Sequence, residues 1–522
     1  MSSLRSKFAA AIAVTAVAVA IFQTSGAAEP SRPNIVVIMT DDQTVDQLAY
    51  MQATRSLIGT AGATFTDSYS SFPLCCPSRA TFLTGRYAHN HGVLENEGPT
   101  GGYYRLDSPN TLPVWLQAAG YRTVHVGKYL NDYGTENPTE IPVGWHEWLA
   151  TTDPSTYGMW GYTMNENGTL HTYGEFDVED PALYQTDVLR DKAVDAIHRN
   201  AGSPFFMTFW TLAPHREVHT LLDQDGPRPA PRHKGMFADV PLPRPPSFNE
   251  EDMSDKPLYM RLKPSLDDAA IALIEQRWRD ELESLQAVDE AVAAIVQALD
   301  EEGVLDDTYV VFTSDNGFFH GEHRTPVEKI LGYEPSSKVP FLIRGPGIAP
   351  GTVVDELSAN IDLAPTIVEL TGAIPTKPID GRSLLPFSAD PSLHTRRPVL
   401  LQSTLPLGGS TLQFFTEQAP ASATAGFAVS EAAAGPLDRI PLSQAVLPYQ
   451  AIHTDRYVLI QYLTGERELF DLAVDPWQIS SKHLDPKYLR TQLALTLELL
   501  RLRFCSGPAC GRETGPIPPP AG

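Results

Sequence analysis

The stretch Asn34-Ile35-Val36-Val37-Ile38-Met39-Thr40-Asp41-Asp42 indicates the class of fold. It opens with an apolar run, which is typical of a strand that is buried on both faces in a parallel sheet. Two carboxylates follow the run directly. The stretch therefore predicts a buried parallel strand that delivers Asp41 and Asp42 to one edge of a sheet.

Similar apolar runs recur along the chain, and polar residues follow each of them. The runs and their polar followers are Arg122 to Val126 before Gly127-Lys128, Phe205 to Trp210 before His215, and Tyr309 to Thr313 before Asp315-Asn316. A helical pattern that starts near Leu282 separates the last two and stops at Gly303. Strands that alternate with helices predict an α/β domain with a mainly parallel sheet. Because ligands of such sheets gather beyond the carboxyl ends of the strands, these polar residues are expected to lie together.

The C-terminal part of the chain has a different pattern. Tyr457 to Tyr462 and Glu468 to Leu472 are typical of paired strands, and Leu489 to Phe504 of a closing helix. We predict a catalytic domain over residues 33–390, a smaller subdomain over 395–505 and a polar tail over 506–522. Residues 405–447, rich in Ala, Ser, Thr and Gly, are predicted to be a flexible loop, and the Pro-rich stretch 226–246 a long surface excursion.

Composition narrows the possible partners. The 522 residues include 63 acidic and 39 basic side chains, which give a formal charge of -24. A nucleic acid backbone would be repelled at long range. A sulfated polymer would be repelled as well, so any cations that bind an anion must be few and local.

The N-terminus has the architecture of a signal peptide. Arg5 and Lys7 precede an apolar run from Phe8 to Phe22, and small residues follow it. We predict a signal peptide over residues 1–28, cleaved near Ala27 or Ala28, and a secreted or periplasmic protein. A membrane anchor is the alternative, but the run is short for a full span, and no later segment is long and apolar enough to cross a membrane.

The four cysteines fall into two pairs. Cys505 and Cys510 could form a disulfide after export. Cys75 stands just before Pro77, which favours the first turn of a helix, so the side chain of residue 75 would lie near unpaired N–H groups that stabilise an anion. Arg79, one turn on, could reach the same point. A buried cysteine pair beside a helix start is the alternative, and the spacing leaves both open.

The run Cys75-Cys76-Pro77-Ser78-Arg79, which continues to Leu83-Thr84-Gly85-Arg86, resembles the signature of the type I sulfatases. The resemblance implies an alkaline-phosphatase-like fold. It also implies that a formylglycine-generating enzyme oxidises Cys75 to formylglycine, whose hydrate supplies the nucleophile. The middle position of the signature varies in the family, so Cys76 is expected to serve packing.

Oxygen ligands occur at two of the predicted strand ends. Asp41-Asp42 and Asp315-Asn316 offer the hard oxygens that Ca²⁺ or Mg²⁺ prefers. Taken singly, such a pair is more often a helix cap or a turn. The resemblance implies calcium at these four residues, with Mg²⁺ as the alternative and modified residue 75 as a further ligand. Such an ion would lower the pKa of a hydroxyl group and polarise the sulfate oxygens.

Four other residues match positions that act on sulfate in the family. Arg79, Lys128 and Lys329 match its basic positions, and His215 matches a histidine that contacts sulfate and can assist protonation of the leaving oxygen. Without the resemblance, each lysine would be read as a solvated surface residue and the histidine as structural. His89 and His91 are further candidates for substrate contact.

Two departures from the family pattern concern histidines. Many sulfatases carry one two positions after the lysine, where this chain has Leu130 and then Asn131 and Asp132, either of which could take a related place. The second missing histidine is replaced by Phe319, with His320 and His323 nearby.

The first departure points to a branch of the family. Residues 127–131, Gly144-Trp145 and residues 85–91 resemble the N-acetylglucosamine-6-sulfatase branch, which implies a sulfated sugar such as N-acetylglucosamine 6-sulfate as substrate. The alternatives are a phosphonate monoester or phosphodiester hydrolase of the same superfamily and an unmodified carbohydrate-binding protein.

Overall fold

The computed structural model describes residues 32–218, 226–403 and 447–521. The described residues form one compact unit. The predicted signal peptide and nearly all of the predicted loop at 405–447 lie outside the described residues. The domain boundary between residues 390 and 395 stays a prediction.

Most of the described strands belong to one large sheet. In chain order the strands are β1 (Asn34–Asp41), β2 (Ala63–Phe65), β3 (Ser68–Tyr69), β4 (Arg122–Gly127), β5 (Glu147–Thr151), β6 (Tyr162–Glu166), β7 (Thr169–Tyr173), β8 (Phe205–Pro214), β9 (Thr308–Ser314), β10 (Phe341–Arg344), β11 (Thr352–Val354), β12 (Ser358–Ala359), β13 (Val399–Gln402), β14 (Tyr449–His453), β15 (Tyr457–Tyr462) and β16 (Arg467–Asp471). Ten of them form the large sheet in the order β11-β2-β10-β9-β1-β8-β4-β5-β6-β7, while β3 and β12 form a separate parallel pair.

Strand β1 lies at the centre of the large sheet. It pairs in parallel with β8 and with β9, and β8 pairs in parallel with β4. All eight residues of β1 are buried, as expected for a strand covered on both faces. Antiparallel pairs occur toward the edges, at β10 and at β6. The predicted α/β fold with a mainly parallel sheet is confirmed.

Helices cover both faces of this sheet. The described helices of seven residues or more are α1 (Cys75–Thr84), α2 (Leu112–Ala118), α3 (Gln185–Asn200), α4 (Asp268–Glu301), α5 (Leu363–Thr371) and α6 (Leu489–Arg503). Asp267 caps the start of helix α4, and its side chain accepts a hydrogen bond from the Ala270 N–H. The helix ends shortly before Gly303, which has a φ of 67°. Because Gly adopts positive φ without steric cost, the helix stops where the sequence predicts.

Successive side chains of β1 point to opposite faces of the sheet, and the hydrophobic core is therefore divided into two layers. Ile35, Val37 and Met39 pack with residues of α1, α2 and α5. Val36 and Ile38 point to the opposite face and pack with residues of α3 and α4. The sheet is thus clamped between two helical layers, and the strand ends are fixed relative to one another.

The C-terminal strands form their own sheet. Strands β13, β14, β15 and β16 are antiparallel neighbours in that order, and Leu495, Leu499 and Leu502 of α6 belong to the same hydrophobic cluster as these strands. The predicted antiparallel sheet with its closing helix is confirmed.

A disulfide between Cys505 and Cys510 follows α6. The backbone carbonyl of Cys505 accepts hydrogen bonds from His89 Nε2 at 3.0 Å and from Asn90 Nδ2 at 2.9 Å. The disulfide loop is therefore held against the short segment that follows α1. Among the described residues, none of the helices combines the length and apolarity that a membrane span requires.

Candidate active site

The predicted polar residues meet at the carboxyl ends of three neighbouring strands. Asp41 ends β1, Asp315 and Asn316 follow β9, and His215 follows β8. Asp42 has a φ of 68°, in the left-handed region that aspartate tolerates better than most residues. All five residues are buried.

Helix α1 brings Cys75 to the same place. Cys75 is the first helical residue, after an extended Leu74, and Gly85 ends the helix with a φ of 61°. The sulfur of Cys75 donates a hydrogen bond to Asp41 Oδ1 at 3.3 Å. Ligand atoms of Asp41, Asp42, Cys75 and His215 all lie within 4.8 Å of one another.

Asn316 adds a side-chain oxygen that has no hydrogen-bond partner in the described part of the chain. Its Nδ2 donates to Asp42 Oδ1 at 2.7 Å, while its buried Oδ1 has no hydrogen-bond partner among the described residues. An unpaired buried acceptor costs about 1–3 kcal/mol. Carboxylates and an amide oxygen are the donors that a hard divalent cation takes, so the residues present fit such an ion.

Asp315 is held differently from the other predicted ligands. Its Oδ2 accepts a hydrogen bond from Arg79 Nε at 2.9 Å, and its Oδ1 accepts one from the Asp42 backbone N–H at 3.3 Å. Burial and the neighbouring Asp41 carboxylate raise the pKa of Asp315 to about 6.

Three buried cations face the three carboxylates. Arg79 Nη2 lies 2.9 Å and Lys128 Nζ 2.5 Å from Asp41 Oδ2, and Lys329 Nζ lies 2.8 Å from Asp42 Oδ1. Burial alone would raise the pKa of Asp41, but Lys128 and Arg79 outweigh it and hold that pKa below its usual range. Mutual neutralisation makes the burial of so many charges tolerable.

The remaining protonation states follow from burial. Desolvation lowers the pKa of His215 to about 4 in spite of the nearby carboxylates, which favours a neutral imidazole at neutral pH. Burial raises the pKa of the Cys75 thiol well above its ordinary value. An unmodified Cys75 would thus be protonated and a weak nucleophile.

The other candidate histidines have protein partners of their own. His91 Nε2 lies 3.0 Å from Thr81 Oγ1, and His89 Nδ1 lies 3.2 Å from Gln402 Oε1. His320 pairs with Glu281 and His323 with Glu250. The structure leaves these four side chains outside the described cluster around Cys75.

One neighbour of the cluster is absent from the sequence predictions. The Tyr157 ring lies 4.5 Å from Lys128 Nζ and 5.4 Å from the His215 ring. Tyr157 belongs to a short 3₁₀ helix, Ser155–Tyr157, between β5 and β6. No local pattern marks it, because irregular connections carry no periodicity.

The chain is similar to known proteins in sequence and in fold. Residues 33–373 match the family described as Sulfatase. Human N-acetylglucosamine-6-sulfatase (Homo sapiens) is 34% identical to this chain over 500 residues, which cover 93% of this chain and 87% of that protein.

Two solved structures share the fold. One is a protein in complex with its substrate D-glucosamine-2-N,6-O-disulfate, which has a TM-score of 0.72 and 24% identity and covers 91% of this chain and 98% of that one. The other is a phosphonate monoester hydrolase from Silicibacter pomeroyi, with a TM-score of 0.66, 23% identity and coverage of 90% and 95%.

Proposed function

This chain belongs to the sulfatase family and is a sulfuric ester hydrolase, and we propose that its substrate is a sugar 6-sulfate such as N-acetylglucosamine 6-sulfate. Similarity to an N-acetylglucosamine-6-sulfatase over nearly the whole chain supports this substrate. The fold shared with a protein solved in complex with a 6-O-sulfated glucosamine is consistent with it.

We propose further that the nucleophile is the hydrate of formylglycine made from Cys75. The observation that carries this proposal is the convergence of Asp41, Asp42, Cys75 and His215 within 4.8 Å in a buried site. One hydroxyl of the hydrate would lose its proton and attack sulfur through its oxygen, and the bond from sulfur to the sugar oxygen would break. The second hydroxyl would then lose its proton, so that the aldehyde re-forms and sulfate leaves.

The side chains around residue 75 have distinct proposed tasks. Arg79, Lys128 and Lys329 neutralise the sulfate oxygens as charge shifts during the reaction. A lysine, or His215 in its protonated form, gives a proton to the leaving sugar oxygen. Asp315 holds the Arg79 guanidinium at 2.9 Å and so fixes its direction.

Asp41, Asp42, Asp315, Asn316 and residue 75 are the proposed ligands of a divalent cation, Ca²⁺ or alternatively Mg²⁺. When bound, such an ion lowers the pKa of a nearby hydroxyl and withdraws charge from sulfate oxygens. The buried Oδ1 of Asn316, which none of the described residues contacts by a hydrogen bond, supports this assignment. We also propose that the protein is exported, as the N-terminal sequence predicts.

Activity measurements with several substrates, on protein in which Cys75 has been converted to formylglycine, test the proposal. The protein is produced with and without a formylglycine-generating enzyme, and mass spectrometry of the peptide that contains residue 75 measures the aldehyde fraction. We expect turnover of N-acetylglucosamine 6-sulfate in proportion to that fraction. A strong preference for a phosphonate monoester would favour the alternative hydrolase, and equal activity of the unmodified thiol form would contradict the nucleophile.

A further inference from the structure

Lys128 lies between a carboxylate and an aromatic ring. Its Nζ is 2.5 Å from Asp41 Oδ2 and 4.5 Å from the centre of the Tyr157 ring. An aromatic face attracts an ammonium group, and more strongly when both are shielded from water. Lys128 is 2% exposed, so this attraction acts with little screening.

The same ring also contacts His215. The two ring centres are 5.4 Å apart, with planes inclined by 49°. The backbone carbonyl of Tyr157 accepts a hydrogen bond from the Val218 N–H at 3.1 Å, which ties the tyrosine to the chain just beyond His215. Tyr157 thus joins the lysine that follows β4 to the histidine that follows β8.

Asn131 fixes the orientation of the tyrosine. Its Nδ2 donates a hydrogen bond to the Tyr157 hydroxyl oxygen at 2.5 Å. Asn131 is 2% exposed, and its Oδ1 has no hydrogen-bond partner within the described residues. The buried amide therefore leaves one of its polar atoms unsatisfied while it holds Tyr157, which is unusual for a residue with a purely structural role.

Asn131 also lies three positions after Lys128, next to the position where many sulfatases carry a histidine. We propose that Tyr157, held by Asn131, is a positioning residue that aligns Lys128 and His215 on the sulfate group. A lysine side chain is long and flexible, so a fixed ring beside its ammonium group favours the conformer that faces Asp41.

This inference rests on the proposed function, because Lys128 and His215 have these tasks only in sulfate ester hydrolysis. If it is correct, loss of the ring should lower kcat more than it raises KM, since misplaced groups weaken the transition state most. We expect Tyr157→Leu to lower kcat about 10- to 30-fold, and Tyr157→Phe and Asn131→Ala about 2- to 5-fold.

A matched control is available on strand β7. Tyr173 forms a second lysine pair, with Lys192 Nζ 5.3 Å from its ring centre, far along the sheet from β1. Tyr173→Leu removes the same kind of contact and should leave kcat and KM within about twofold of wild type. All variants are compared at equal formylglycine content and after a thermal unfolding check.

A double-mutant cycle separates positioning from general structural damage. If Tyr157 acts through Lys128 and His215, then adding Tyr157→Leu to a variant that already carries Lys128→Ala and His215→Ala should lower kcat less than twofold further, because both groups that it positions are already gone. Full additivity of the two losses, or an unchanged kcat in Tyr157→Leu alone, would overturn the proposal.

A binding measurement distinguishes failure of this inference from failure of the proposed function. Calorimetry with inorganic sulfate in a Cys75→Ala background requires no turnover. We expect Tyr157→Leu to weaken sulfate binding at least threefold there, and Tyr173→Leu to leave it unchanged. If the wild-type protein that contains formylglycine turns over no sulfate ester, the proposed function is refuted instead. Equal sulfate affinity with and without the Tyr157 ring would overturn the positioning role.

Discussion

Lys329 and Cys75 are in direct contact, with the lysine Nζ 2.9 Å from the cysteine sulfur. The two residues are 254 positions apart in the chain. The same ammonium group lies 2.8 Å from Asp42 Oδ1, so it faces both the proposed nucleophile and a proposed metal ligand.

Removing this cation should strongly impair catalysis. Loss of one preorganised donor to developing negative charge typically costs about 10²- to 10³-fold in kcat. We expect that loss for Lys329→Met, measured with an aryl sulfate, and a smaller loss for Lys329→Arg, which keeps the charge. A kcat within threefold of wild type in Lys329→Met would exclude Lys329 from the reaction.

The proposed nucleophile predicts a specific failure of Cys75→Ser. A serine can accept the sulfuryl group, but it has no second hydroxyl with which to expel sulfate, so the enzyme should stop after one turnover. Mass spectrometry should detect a sulfated peptide that contains residue 75. Cys76→Ser is the matched control, since Cys76 is equally buried, and it should keep multiple turnovers; steady turnover by Cys75→Ser would refute the mechanism.

The proposed cation site predicts a stability effect that requires no substrate. A ligand that binds only the folded state stabilises it by about 2.7 kcal/mol at 100 times its Kd. Addition of Ca²⁺ to chelator-treated protein should therefore raise the Tm in a concentration-dependent way. Asn316→Ala should shift this titration to higher Ca²⁺ concentrations, and a Tm that is indifferent to Ca²⁺ and Mg²⁺ would contradict the site.

A pH effect on stability is expected from the C-terminal sheet. Burial raises the pKa of Glu468 to about 7 from an ordinary 4.5, although hydroxyls of Tyr333 and Tyr462 donate to it. The folded state therefore binds the proton more tightly than the unfolded state. The stability this contributes is fully present below pH 4.5 and is lost as the pH rises to about 7.

Glu468→Gln should abolish this dependence. Between pH 4.5 and 7.5 the free energy of unfolding of the variant should rise relative to wild type by roughly 3 kcal/mol. Urea unfolding at several pH values measures the difference. A constant difference between the two proteins over this range would show that Glu468 does not titrate there.

The sequence predicts the strand ends of the site because each is encoded locally. An apolar run that is followed by Asp41 or by Asp315 indicates where a strand ends, and the residue that follows the run is the side chain at that end. The start of α1 at Cys75 is local as well, since Pro77 and Gly85 mark its two ends. These three segments required no knowledge of tertiary contacts.

Other features depend on contacts between distant segments. Tyr157 reaches Lys128 from an irregular connection, and the partners of His320 and His323 are Glu281 and Glu250, which lie in a helix and a loop elsewhere. At the second position where the family pattern has a histidine, this chain has Phe319, which is a fully buried apolar side chain. Such relationships arise from packing in three dimensions, which hydrophobic periodicity does not encode.

The position of β1 has a consequence for the order of events during synthesis. Asn34 pairs with Thr308, so one of the two neighbours of the central strand is made 274 residues later. Contacts of such long range form slowly. Until β9 has been made, Cys75, which is fully buried in the folded protein, lies in an incompletely folded chain that another enzyme can bind. If Cys75 is converted to formylglycine as proposed, the modifying enzyme must therefore reach residue 75 before β9 completes the buried site.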